Sequence, residues 1–153
     1  MNKAFTVIEL IFVIIIISIL SIVAIPRLSA TYDDAKIAVA LNNIGTLVND
    51  LSTYYISKKQ YSSDLKKMTS IRDVNYTTPW NPITEEGKLT FYTKDNNSKL
   101  EKCVLFEIKN REGNLTISSI SNPNGDICKG VQENLIYQSL LGIKLVGGNR
   151  VKF

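Results

Sequence analysis

The 153-residue chain has no histidine, two cysteines, one tryptophan and four prolines. Without histidine there is no Ser-His-Asp or Cys-His device for nucleophilic catalysis and no imidazole to relay protons near neutral pH. Two sulfurs with no imidazole also fall short of any familiar structural zinc set, so no metal centre is expected. Gly147-Gly148 is no phosphate-binding fingerprint. Glu85 and Glu86 are adjacent, point to opposite sides of an extended chain, and read as solvated loop charge. The expectation is a chain that is not an enzyme and carries no cofactor. Net charge is a mild +4, which is little for a nucleic-acid partner. Lys58-Lys59 and Lys66-Lys67 read as solvated pairs, with DNA contact left open were copies of the chain to stack them into stripes.

What the chain does have is one long apolar run. Leu10 to Ile25 is apolar except for Ser18 and Ser21, and from Pro26 onward charged, amide and apolar residues mix as they do in a water-exposed domain. As a helix, Phe5 to Ile25 would extend roughly 31 Å, the thickness of bilayer hydrocarbon. Lys3 precedes the run, and Arg27 follows with Asp33 and Asp34 beyond, so the basic-side rule favours a cytoplasmic start with the rest of the chain outside. Glu9 sits near the front of this run, where a carboxylate is costly unless it is used. A cleaved secretory signal ending near Leu28-Ser29-Ala30 is opposed by Glu9 and by the length of the run. A plain single-pass anchor explains the length but not Glu9.

Lys3-Ala4, then Phe5-Thr6-Val7-Ile8-Glu9-Leu10, an Ile/Val-rich run and Pro26 together resemble the amino terminus of type IV pilins and of type II secretion pseudopilins. The resemblance covers roughly the first 30 residues. It implies a leader of residues 1–4, cut by a membrane prepilin peptidase between Ala4 and Phe5, with methylation of the new Phe5 amine. The family usually has Gly where this chain has Ala4, and often Gly where it has Ser18; a serine there can bond to the carbonyl one turn back. Glu9 becomes the fifth mature residue, one helical turn from the Phe5 ammonium, and the resemblance implies that its carboxylate engages the amine of a neighbouring subunit during assembly. The implied partners are identical or related pilin subunits, the peptidase and an inner-membrane assembly platform. The implied location is the inner membrane for the precursor, then a periplasmic pseudopilus or a cell-surface filament. A competence filament that takes up DNA, or an anchored binding domain that never polymerises, are the alternatives.

The fold class expected is α+β and pilin-like. Residues 5–26 form a transmembrane and filament-core helix, and 27–153 a soluble domain, with the helix continuing to about 57, a loop at 58–87, and sheet and carboxy-terminal region at 88–153. Ile37, Leu41, Ile44, Val48, Leu51 and Tyr55 recur at alternating spacings of four and three and draw one apolar stripe along the helix. Pro26 removes a backbone hydrogen bond and is expected to kink or locally melt the helix, with Gly45 a second weak point. In the loop, Asp64 is a candidate cap for a short helix, and Trp80 is either a core anchor or a ligand platform for a sugar.

Leu89–Thr93, Cys103–Lys109 and Leu115–Ile120 are rich in β-formers and are joined by the turn sequences Asp95-Asn96-Asn97 and Arg111-Glu112-Gly113-Asn114, so an antiparallel meander covering the helical stripe is expected. A helical stretch from Cys128 to about Leu141 and a final strand at Asn149–Phe153 complete the reading. Asn122-Pro123-Asn124-Gly125-Asp126 reads as a turn, with oxygens for calcium as the alternative. In a domain outside the cytoplasm, Cys103 and Cys128 would form a disulfide contributing roughly 3 to 4 kcal/mol, and two free thiols are the alternative. In pilins such a bond often bounds the exposed carboxy-terminal region.

Overall fold

A computed structural model describes residues 6–95, 98–109 and 114–146, with only the backbone described for 23–30 and 143–145. The chain divides into two compact units, Met1–Ala35 and Lys36–Phe153. One helix, α1 (Val7–Lys58), contributes to both.

In the first unit α1 begins on Thr6 and exposes apolar side chains on every face, from 42% at Ile16 to 76% at Val7 and Ile8. The serines of this stretch close local bonds: Ser18 Oγ donates to Ile14 O at 2.6 Å and Ser21 Oγ to Ile17 O at 2.8 Å. The helix continues through Pro26 without a break in its assignment. Among the described residues no helix is long and apolar enough to cross a membrane. Within the expected span the described side chains end at Ile22; Phe5 lies outside the described residues, and only the backbone of residues 23–25 is described.

In the second unit the rest of α1 buries one face against a five-stranded antiparallel sheet of order β1-β2-β3-β4-β5: β1 (Val74–Asn81), β2 (Glu86–Lys94), β3 (Leu100–Lys109), β4 (Asn114–Ser119) and β5 (Gly142–Leu145). The α+β class is therefore observed. The buried stripe is Ala40, Ile44, Leu47, Leu51 and Tyr55, with Ile37, Leu41 and Val48 only partly covered. It keeps the expected period but is turned toward Ala40 and Leu47. Inward side chains of the sheet complete the same core: Leu89 and Phe91 from β2, Val104, Phe106 and Ile108 from β3, Leu115 and Ile117 from β4. These alternate along their strands, as a sheet with one covered face requires.

The expected loop at 58–87 is corrected toward its end, where residues 74–81 form β1 and pair with β2. Pro79 concealed this strand; it is tolerated because β1 is a sheet edge, and the pairing register shifts on both sides of Thr78. Asp64 does cap a short 3₁₀ turn (Leu65–Lys67), accepting from Lys66 N at 3.1 Å. Beyond β4 the chain forms α2 (Asp126–Glu133) and α3 (Leu135–Leu140), then returns as β5 beside β4. The strand expected at Asn149–Phe153 lies outside the described residues, as do Asn96 and Asn97 of the first expected turn and residues 111–113 of the second.

Candidate functional site

Among the described residues, polar groups or open space gather at the head of α1, at the junction of β3 and α2, and beside the start of α3; the first of these holds Glu9, the residue singled out for assembly from sequence. At the head of α1, Thr6 and Glu9 satisfy each other. Glu9 N donates to Thr6 Oγ1 at 3.3 Å, while the Glu9 carboxylate accepts from Thr6 N at 3.0 Å and from Thr6 Oγ1 at 2.8 Å. This is a capping box, in which the first residue and the fourth each bond the other's backbone N–H. A carboxylate in the first turn also faces the positive end of the helix dipole. Sequence reasoning gave Glu9 an intermolecular role and missed this local one, although Thr-x-x-Glu before an apolar run signals it. The box uses Oε2 alone. Ala4 and Phe5, the expected cleavage and methylation residues, lie outside the described residues.

The second place is the junction between β3 and α2. Cys103 and Cys128 form a disulfide with their Cα atoms 5.5 Å apart, and both residues are fully buried. Two further ties accompany it. Gln132 Nε2 donates to Cys103 O at 3.0 Å and to Ile120 O at 3.1 Å. The Glu101 carboxylate accepts from Asn124 N and, at 2.8 Å, from Gly125 N, just ahead of α2. A side chain at 125 would put its Cβ 2.3 Å from Glu101 Oε2, and one at 130 would put it 2.3 Å from Ile37 Cδ1, so glycine at both positions lets α2 sit close to β3 and α1. The Asn122–Asp126 loop thus turns two N–H groups, those of Asn124 and Gly125, toward the Glu101 carboxylate. Among the described residues no three His, Cys, Asp or Glu side chains gather where they could hold a metal ion. A cleft of about 410 Å³ beside this loop is lined by Asp95, Lys99, Glu101 and Lys102, so its charges are mixed.

The third is an open groove of about 700 Å³ between α1 and the start of α3, lined by Ala38, Leu41, Asn42, Gly45, Asn134 and Ile136 among others. It has no charged lining residue and no acid–base pair.

The remaining candidates are structural. Trp80 is buried, with its ring edge-on to Tyr61 at 5.5 Å, and Tyr61 packs in turn on Tyr55 at 5.1 Å; the core-anchor reading holds. Burial raises the Tyr61 phenol well above its ordinary range, and burial followed by the nearby Asp64 charge does the same for Tyr76, whose hydroxyl donates to Ser62 O. Lys58, Lys59, Lys66 and Lys67 are all exposed. Glu86 pairs with Lys109 at 3.5 Å across β2 and β3, beside the Lys88–Glu107 pair at 2.5 Å. The Glu107 hydrogen bond and charge raise the Lys88 pKa. No family model, curated protein or solved structure matches this chain.

Proposed function

We propose that the chain is a structural subunit of a type IV pilus-like filament or a secretion pseudopilus, made as a prepilin, cut before Phe5, methylated there, and polymerised through its amino-terminal helix. One observation carries this reading: a single helix exposes apolar side chains all round over residues 7–22 and, further along, buries one stripe in an α+β core. A helix apolar on every face suits a lipid or protein surround on all sides. In a bilayer it would shelter its own backbone bonds; in a fibre, sister helices would replace the lipid. The precursor then sits in the inner membrane with its second unit outside the cytoplasm, served by the peptidase and the assembly platform. The disulfide fits that oxidising side.

Glu9 fits a second task within the same reading. Its Oε2 is occupied by Thr6, and a carboxylate accepts more bonds than those two. The ammonium of a neighbour's Phe5 would supply the counter-charge in a core of low dielectric. Glu9→Gln expressed as the sole copy should insert and be cleaved normally, yet leave the subunit in the membrane fraction with sheared filaments lost. Amino-terminal analysis of the wild-type protein should give methylated Phe5. A chain that retains Met1 and stays in the membrane would mark a plain anchor and overturn the reading.

A further inference from the structure

We propose that Asn75 is an acceptor for an asparagine-linked glycan, transferred to the second unit outside the cytoplasm; from the filament reading this needs only that placement. The chain holds three Asn-x-Ser/Thr triplets without proline at the middle position, beginning at Asn75, Asn96 and Asn114. That pattern is the acceptor signature for N-glycosylation. Two of the three carry an acidic residue two places earlier, giving Asp73-Val74-Asn75-Tyr76-Thr77 and Glu112-Gly113-Asn114-Leu115-Thr116, whereas Asn96 has Lys94 at that place. Only 14 of 153 residues are acidic, so composition alone does not account for the recurrence. An acidic side chain at a fixed offset gives a transferase with a basic subsite a charge to grip.

The structure separates the two five-residue matches. Asn75 is exposed on β1, an edge strand, and Thr77, two residues on, is exposed on the same face. Val74 between Asp73 and Asn75 is buried and fixes that orientation. Asn114 is half-buried, with its side-chain oxygen enclosed. A transferase must also draw the acceptor out of the sheet to reach its amide. β1 pairs on one side only, and its register shifts between Tyr76 and Thr78, so it can be peeled without breaking the pairing of β2 with β3. On transfer, an Nδ2–H proton of Asn75 leaves to a base and Nδ2 bonds to C1 of a lipid-diphosphate-linked oligosaccharide. The C1–O bond breaks and the lipid diphosphate departs with its electron pair. The attached sugar would cover the open edge of β1, which otherwise offers unpaired backbone groups to other strands.

The test uses full-length protein from its native host, digested with trypsin, and follows the peptide of residues 73–88, which contains Asn75 as its only acceptor triplet. That peptide should be heavier by a discrete oligosaccharide mass. The added mass should vanish in Asn75→Gln and in Thr77→Val, and persist in Thr77→Ser and Asn114→Gln. In Asp73→Asn the occupancy should fall on the order of tenfold, as expected for losing one charge contact with the transferase. The Cys103–Cys128 bond, read on the same molecules, reports whether the unit reached the oxidising side. Disulfide-bonded protein with an unmodified 73–88 peptide, or with sugar at Asn114 alone, would overturn the assignment while leaving the filament reading intact. Reduced, unmodified protein would remove the placement on which both depend.

Discussion

The apolar head of α1 and its domain-facing stretch are built from similar residues and held by different means. Between Val7 and Ile22 nearly every side chain is Ile, Leu, Val or Phe, and each of these is exposed. The order there comes from the helix's own ladder, the Thr6–Glu9 cap and the serine back-bonds. Between Ala40 and Tyr55 five apolar residues suffice, because each is covered by a sheet that supplies the opposite wall. Apolar content alone therefore does not decide what a helix packs against; the distribution of the polar residues does. Asn42, Asn43, Asn49 and Asp50 confine the domain-facing stretch to a single dry stripe, whereas the head has no wet face at all.

The largest effect expected from this contrast comes from cutting the same kind of side chain in each stretch. Leu47 is fully buried, so Leu47→Ala should destabilise the folded domain by about 2 to 5 kcal/mol. Ile15, which is half exposed, should cost the domain almost nothing when changed to alanine, although filament yield should fall if sister helices cover it. Urea unfolding of the detergent-solubilised chain, followed by tryptophan emission from buried Trp80, measures both. Equal losses would break the comparison.

Next in size is the clasp between β3 and α2. Cys103→Ser opens the disulfide and should cost about 2 to 5 kcal/mol, whereas Gln132→Ala, which loses two bonds to carbonyl oxygens, should cost about 1 to 3 kcal/mol. Neither substitution touches the apolar head of α1, so membrane-fraction recovery should stay constant while protease resistance of the domain drops.

How far the fold is legible in the sequence follows from where each interaction lies along the chain. The helical stripe can be read from its four-three spacing, and the strands at 89–93, 103–109 and 115–120 from their β-formers, because those signals are local. The expected stripe lies one step to the side of the observed one because alanine at 40 carries little hydrophobic weight until a sheet is placed over it. β1 escapes a sequence reading because Pro79 and the polar Asn75, Thr77 and Thr78 look like a loop, and only pairing with β2 makes them a strand. The Glu101 tie to Asn124 and Gly125 crosses more than twenty residues and has no sequence period. The Thr6–Glu9 box is local and readable, but the cost of a carboxylate in an apolar run draws attention to distant partners first.

A smaller effect separates the aromatic cluster from the rest of the core. The Tyr61 hydroxyl is buried with no hydrogen-bond partner among the described residues, so Tyr61→Phe should leave stability unchanged or raise it by up to about 1 to 3 kcal/mol. The same burial raises the folded-state phenol pKa, so the proton is held more tightly in the folded chain. Its contribution is complete below the unfolded value of about 10 and is lost as pH rises toward the folded value. Wild-type stability should therefore fall in alkaline solution, and the Phe variant should fall less steeply across the same range.

The finest division lies within the first turn of α1, between what Glu9 does for its own helix and what it does for a neighbour. Thr6→Ala removes the hydroxyl that accepts from Glu9 N and donates to Glu9 Oε2, at a cost of about 0.5 to 2 kcal/mol to the helix start, yet it leaves the carboxylate charged. Glu9→Gln keeps a group able to accept from Thr6 N but takes away the charge. If the cap is the whole purpose of Glu9, Thr6→Ala is the more damaging change, and both variants should assemble in proportion to their helix content. If a neighbour's ammonium is the partner, the order reverses: Thr6→Ala should build filaments at somewhat reduced yield, and Glu9→Gln should build none. Filament mass from sheared cells, set against amide exchange at residues 7–10 in detergent, places the two variants on the two axes. Filaments from Glu9→Gln at wild-type yield would reduce Glu9 to a helix cap and leave the apolar run as the sole basis for assembly.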